Sequence, residues 1–313
     1  MFDNQVVVIG GGRWARQIIL TLLLKTKLNK VYCLTNNKNF FIRKWAIKRK
    51  IKKKVEFLEI LNKALSKKSL AIICNNSLKH YSSALFSLKN NYNILIEKPI
   101  ASNISEAKII NTLSKKKNRK VFCSSVYSFS SYIIKILGII KTKKISHINF
   151  KWHDKFNEVR YGEKKIINKN VPIHLDLFFH IFSILDTIVN KKAYRNVIIK
   201  KKFFTNNKLI LVLKFKNLTI DINLNRLAKK RFRLVTFINN KTKFFLNFNN
   251  KAGRYSESIN NDLLIKKVIK NLNSPLHLML KYVLNNINLN SKYNKLNINT
   301  AIDHFKRINK IFY

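Results

Sequence analysis

Acidic residues are scarce. Asp and Glu number 14 against 63 Lys and Arg, a formal net charge of +49, while glycine falls to 6, proline to 3 and cysteine to 3 in 313 residues. Cys33, Cys74 and Cys123 stand in separate apolar runs with no CxxC or CxxH spacing, which excludes a disulfide framework and a cysteine-based zinc site and predicts reduced core thiols. No apolar run reaches the roughly 18–20 residues that span a bilayer, because Arg13, Arg16, Lys135 and Asp176 interrupt the best candidates. Met1–Asn4 leads straight into a strand pattern, so neither a signal peptide nor a membrane partner is expected, and the location is read as cytoplasmic. With 46% hydrophobic residues the chain can bury a sizeable core as one large domain or two ordinary ones.

A charge of +49 by itself suggests a polyanion partner. The excess, however, extends to Lys, Asn, Ile and Phe together, residues with A/T-rich codons, as a drifting symbiont-like genome produces in any protein. The basic residues are also spread over all predicted elements rather than gathered in a tail or stripe, so no specific nucleic acid is expected.

From Gln5 to about Ser124 short apolar strands alternate with amphipathic stretches, the grammar of βα units feeding a parallel sheet. Strands are predicted at Val6–Ile9, Val31–Leu34, Val55–Leu58, Leu70–Cys74, Asn93–Ile96 and Val121–Cys123. Helices are predicted near Arg13–Lys25, Phe40–Lys50, Glu59–Leu65, Leu78–Lys89 and Ile104–Lys117. Beyond 124 the pattern changes. Helices near Tyr132–Ile140 and Ile173–Val189 flank Ile145–Trp152, five strand-like runs follow between Val197 and Phe248, and helices return from about Asp262. The fold class is therefore a doubly wound α/β Rossmann domain, 1–124, followed by an α+β domain with a largely antiparallel open sheet, 125–313.

The first strand runs into Gly10-Gly11-Gly12-Arg13-Trp14-Ala15 and then a helix, satisfying G-x-G-x-x-G/A. That chemistry needs a tight turn at Gly10, bare backbone at Gly12 where a pyrophosphate can approach, and a small Ala15 where helix meets strand. Half of the 6 glycines lie in this one turn. At the end of the second strand a ribose-binding carboxylate would mark NAD, but the sequence offers Thr35-Asn36-Asn37-Lys38. With Lys38 and Arg13 available to a 2'-phosphate, NADP(H) is favoured over NAD(H).

The fifth strand ends in Ile96-Glu97-Lys98-Pro99-Ile100-Ala101, and Asn75-Asn76-Ser77 with His80 stands upstream after the fourth. Together with the glycine turn, the order GxGxxA, N-x(4)-H, EKP resembles the glucose-fructose oxidoreductase, inositol dehydrogenase and MocA group, Gfo/Idh/MocA. The resemblance implies that Asn75, Asn76, His80, Glu97 and Lys98 lie along the cofactor and that Lys98 is catalytic. A lysine at the carboxyl end of a parallel strand can polarise a substrate oxygen. Glu97 points to the other side of the strand and is read as structural or a cofactor contact.

Asp176 and His180 stand at i and i+4 in an apolar segment, so both can address one spot. They match the family's Asp followed by His, implying proton transfer at His180 and orientation of substrate or ring by Asp176. Two positions depart from the pattern: Phe178 replaces a Gly, and Ser183 replaces a frequent Asp. Tyr127, Ser125, Arg160 and His174 are candidate pocket residues, and the acidic cluster Trp152–Glu163 is either a substrate wall or a solvated loop with internal ion pairs. His174 and His180 fall on different helical faces, so no metal is expected.

The expected function is hydride transfer between a nicotinamide and a hydroxyl, carbonyl or imine carbon of a small polar or specialised metabolite. The alternatives are a non-catalytic nicotinamide-binding partner protein and, less favoured, a basic nucleic-acid binder. The resemblance further implies a homo-dimer or homo-tetramer formed through the second sheet.

Overall fold

The computed structural model describes all residues except 1–4, 27, 36–39, 65, 67–68, 161–162, 165–166, 168–169, 240–241, 249–253, 260–261, 269–272 and 288–294, and the backbone alone at 160, 254–259 and 262–268. The chain divides into two compact units, Met1–Val126 with Leu276–Lys306, and Tyr127–Pro275 with Arg307–Tyr313. The chain thus changes units close to residue 124, but the second unit does not run unbroken from 125 to 313: residues 276–306 return to the first.

In the first unit β1 (Val6–Ile9), β2 (Val31–Leu34), β3 (Val55–Leu58), β4 (Leu70–Ile73), β5 (Asn93–Ile96) and β6 (Val121–Cys123) form a parallel sheet in the order β3-β2-β1-β4-β5-β6. α1 (Arg13–Lys25), α2 (Phe40–Lys48), α3 (His80–Lys89) and α4 (Ile104–Lys116) provide helical crossovers. β1, β4, β5 and β6 are buried at every residue, as a sheet covered on both faces requires. α1 turns Ala15, Ile18, Ile19, Leu22 and Leu23 inward at helical spacing, each large side chain contributing about 1.5–3 kcal/mol of burial. Strand order reverses between β1 and β4, so the loops after these two strands meet at the switch point where such sheets bind ligands. The helix expected at Glu59–Leu65 does not form over the described residues 59–64; the connection is held by backbone instead, Ala64 N donating to Asn90 O at 3.0 Å.

The second unit begins with α5 (Ser131–Lys141), capped by Ser130 Oγ accepting from Ile133 N, and continues into β7 (His147–Lys155). A small hairpin, β8 (Val159–Arg160) and β9 (Glu163–Lys164), precedes α6 (Ile173–Leu185). Then come β10 (Ile198–Phe204), β11 (Lys208–Lys214), β12 (Thr219–Ala228), β13 (Phe232–Asn239), β14 (Thr242–Asn247), β15 (Arg254–Ile259) and β16 (Asp262–Val268). The large sheet runs β10-β11-β12-β7-β13-β14-β15-β16 and is antiparallel except for the parallel pair β7 and β12. Strand periodicity is clear in β7, β11 and β12, where alternate residues are buried. The helix expected from Asp262 is instead β16. Backbone pairing to β15, itself paired to β14, carries the sheet two strands further than local sequence predicted.

α7 (Pro275–Asn286) and α8 (Ile298–Phe312) close the chain. No helix among the described residues is long and apolar enough to cross a membrane.

Candidate active site

Gly10 adopts φ +132, and a Cβ there would lie 2.9 Å from Asn75 N, so only glycine fits against the loop after β4. Its amide donates to Leu34 O at 2.8 Å, pinning the turn to the end of β2. The Cys33 thiol, pushed up to about 12 by burial, lies 3.6 Å from Gly10 O and braces the same turn. A Cβ on Gly11 would lie 2.8 Å from Thr35 Oγ1, whereas one on Gly12 would meet nothing within 4 Å. Gly12 caps α1 without a side-chain hydrogen bond. Open space above Gly12, beside the uncapped helix start that Arg13 opens, is the cradle a phosphate needs. Ala15 is fully buried where α1 meets the sheet.

Two buried polar atoms border the turn without a hydrogen-bond partner among the described residues: Trp14 Nε1 and Asn75 Oδ1. The amide nitrogen of Asn75 is used, donating to Ser83 Oγ at 2.8 Å. Orphaned groups of this kind, at a switch point with a bare glycine, fit a bound dinucleotide. Asn76 Oδ1 accepts from Leu78 N at 3.1 Å and caps the short turn leading into α3. Asn36 and Lys38 lie outside the described residues.

His80 is 2% exposed, its Nδ1 2.7 Å from Pro99 O and its Nε2 3.3 Å from Asn75 O. Burial lowers its pKa, so the neutral ring donates to the nearer carbonyl. The side chain expected to touch cofactor therefore ties the loop after β4 to the segment after β5. Glu97 is likewise inward, its Oε1 accepting from Ser124 Oγ at 2.7 Å, which gives it the structural role. Lys98, half-buried one residue on, heads the cis Lys98–Pro99 peptide beyond β5.

In the second unit α6 brings His180 against Tyr127, ring centroids 4.7 Å apart, and Trp152, 6.5 Å apart and 20° from parallel. Phe248 completes the cluster against Tyr127 at 5.7 Å and Trp152 at 5.2 Å. Tyr127 thus joins His180 as expected, but His174 does not: its ring stacks on Phe312 at 4.4 Å, and its Nε2 lies 3.3 Å from the Tyr313 hydroxyl. Six residues before His180, it lies on another face of α6. Burial, and then the Arg226 charge, lower the His174 pKa to about 4. Folding favours the neutral ring, so stability present above the unfolded histidine pKa of about 6.5 is lost as pH falls toward about 4. His174→Gln should flatten the pH dependence of the denaturation midpoint across that window.

Asp176 pairs with Arg226, Oδ2 to Nη1 at 3.5 Å, an arginine 2% exposed on β12. Nothing in so lysine- and arginine-rich a sequence marked Arg226 out. In the acidic stretch expected as a substrate wall or solvated loop, residues 152–155 belong to β7, Asp154 is 1% exposed and paired with Arg233, and Glu158 is buried against Arg231, so these two acids are held by arginines outside the stretch. Arg233 also covers Trp152, its guanidinium 4.6 Å from the ring centroid. Arg160 lies in β8, its side chain outside the described residues.

Residues 4–125 match the Gfo/Idh/MocA family, described as oxidoreductases with an NAD-binding Rossmann fold. No curated protein sequence matches the chain. Among solved structures, KijD10, a 3-ketoreductase from Actinomadura kijaniata in complex with NADP and TDP-benzene, superposes with TM-score 0.76 at 9% identity, covering 96% of this chain and 94% of that one. The dehydrogenase MviM from Clostridium difficile gives 0.73 at 19%, covering 99% and 98%. UDP-N-acetylglucosamine 3-dehydrogenase GnnA from Acidithiobacillus ferrooxidans gives 0.72 at 12%, covering 99% and 97%. At these identities the structures share the fold, and the sequence match, which takes in the glycine turn, the Asn75 loop and Glu97-Lys98-Pro99, identifies residues 4–125 as an NAD-binding Rossmann domain of the Gfo/Idh/MocA oxidoreductase family.

Proposed function

We propose that the chain transfers a hydride between NADP(H) and a carbon bearing a hydroxyl or carbonyl on a sugar or sugar-like metabolite. The observation that carries the reading is the glycine turn, with open space over Gly12, an uncapped α1 and unpartnered Asn75 Oδ1 and Trp14 Nε1. Gly10, Gly12 and the first amides of α1 would hold the pyrophosphate, and Thr35, Asn36, Lys38 and Arg13 would face the ribose end. No carboxylate stands at the end of β2 to repel a 2'-phosphate, which favours NADP(H). When bound, the nicotinamide supplies or accepts the hydride at its C4 carbon.

Lys98 polarises the reacting oxygen, and its ammonium stabilises the negative charge that develops there. His180 gives or takes the hydroxyl proton, with Tyr127 against its ring. Asp176, paired with Arg226, orients this turn of α6. A sugar substrate draws on GnnA, named a UDP-N-acetylglucosamine 3-dehydrogenase, and the reaction type also on KijD10, named a 3-ketoreductase. The protein is expected to act as a cytoplasmic homo-dimer or homo-tetramer. Supporting that, β7 and β12 present half-buried polar pairs on one sheet face, His147 Nε2 to Asp221 Oδ2 at 2.8 Å and His153 Nε2 to Asn223 Oδ1 at 3.0 Å.

Titration with NADPH and NADH at physiological salt, followed by tryptophan quenching, should show tighter binding of NADPH. With UDP-N-acetylglucosamine and a panel of keto-sugars as probes, His180→Ala should lower turnover by about 100-fold or more while NADPH binding is retained. Equal turnover by His180→Ala would remove the proton-transfer assignment, and failure of both nucleotides to bind would remove the enzyme reading.

A further inference from the structure

The largest of the fully buried side chains is a charged one, Arg226. It sits where β12 loses register with β7, between Asn225 and Ala228. It continues the inward set of Ile220, Ile222 and Leu224 along β12, so strand alternation itself turns the guanidinium into the unit. From this position one guanidinium reaches three separate segments. Nη1 faces Asp176 Oδ2 at 3.5 Å on the first turn of α6; Nη2 donates to Val171 O at 2.8 Å, just before the helix, and also to Asn206 O in the β10–β11 turn. The helix start has no other side-chain cap, its N-cap being Pro172.

We propose that Arg226 is a positioning residue for the proton-transfer group, fixing the rotation of α6 and thereby the place of His180 one turn beyond Asp176. Three features support this beyond its being buried. A planar fork whose two Nη atoms reach a carboxylate and two carbonyls, its Nε alone lacking a partner among the described residues, has one orientation, unlike a lysine's point charge. Burial lowers the Arg226 pKa, and Asp176 is the leading group that raises it again, so the carboxylate is held as the counter-ion of a desolvated cation rather than as an independent base. His174, on the same turn, is neutral near pH 7, so the cation that Asp176 answers is Arg226. The far end of α6 has an arginine of its own, Arg307, whose Nη2 donates to Asp186 Oδ2 at 3.1 Å, and it provides an internal control.

The proposal rests on His180 as the proton-transfer group, but its test does not. In chain labelled with 13C at histidine Cε1, His180 is assigned by the signal lost in His180→Ala. Arg226→Lys keeps the charge and removes the fork; Arg226→Met keeps the volume and removes both. Each should move the His180 resonance while leaving those of His147 and His153 in place, and Arg307→Lys should leave all three unmoved. On any probe sugar that turns over, Arg226→Lys should lower kcat by about tenfold with KM within about threefold and NADPH affinity unchanged. A folded Arg226→Lys or Arg226→Met with His180 unmoved overturns the proposal. Loss of folding in both, with Arg307→Lys folded, also overturns it in favour of a purely structural arginine. His180→Ala that retains turnover removes the reading of the active site without touching the resonance test.

Discussion

Gly12→Ala should leave the stability of this protein nearly unchanged and make it a poorer binder of dinucleotide. Gly12 has φ −71 and ψ 178, backbone that any residue adopts, and an added Cβ meets nothing within 4 Å. Restricting the unfolded chain at such a position adds about 0.4–1 kcal/mol, alanine as the poorer N-cap of α1 takes back a similar amount, and the melting temperature should move by less than about 4 °C. The same methyl projects into the space over the α1 N-terminus. Losing one charge-assisted hydrogen bond to phosphate, about 1.5–3 kcal/mol, weakens NADPH binding by about 10–100-fold. Gly10→Ala provides the contrast. Its φ of +132 and a 2.9 Å approach to Asn75 N put strain and overlap in the folded state, about 2–6 kcal/mol together. Thermal melts and NADPH titrations of the two variants separate a glycine kept for its ligand from one kept for the turn. Unchanged NADPH affinity in Gly12→Ala would mean that the phosphates run elsewhere.

How far the sequence could be read depended on how local each feature is. The glycine turn and the strands β1, β2, β3, β5 and β6 stand where the apolar runs placed them, because a doubly covered parallel strand is a short run of buried residues bounded by turns. Asp176 and His180 were legible as a pair because helical spacing alone relates them. What could not be read was set by partners distant in sequence. β15 and β16 exist through backbone pairing to β14, and His174 faces Phe312 because of where α8 ends, more than 100 residues later. His80 had the right neighbours but the wrong role. Spacing placed it on the cofactor loop, and only the carbonyls of Pro99 and Asn75 show its ring turned inward. Arg226 is in phase with the inward residues of β12, but its partners Val171 and Asp176 stand about 50 residues earlier, and no local pattern relates them.

The acids of the stretch at 152–163 drew notice for a more general reason. In a chain with 14 acids among 63 bases, a carboxylate is most conspicuous where it is retained, and retention need not mean a ligand. Asp154 is 1% exposed, and Arg233 Nε donates to its Oδ1 at 2.7 Å. Asp154→Ala leaves a guanidinium buried without that counter-charge and should cost about 3–5 kcal/mol. Glu56→Ala, which removes the solvent-screened pair Lys30–Glu56 with side chains 49% and 46% exposed, should barely move the denaturation midpoint. The buried loss should also reach catalysis, since Arg233 lies over Trp152 and Trp152 stacks on His180. Joint replacement, Asp154→Leu with Arg233→Met, removes both charges from the interior and should recover most of the stability but not the turnover, because the cation over Trp152 is gone. Denaturant unfolding of the four chains, with kcat on whichever probe sugar the parent turns over, distinguishes this from a pair that serves packing alone. In that case stability and turnover would recover together.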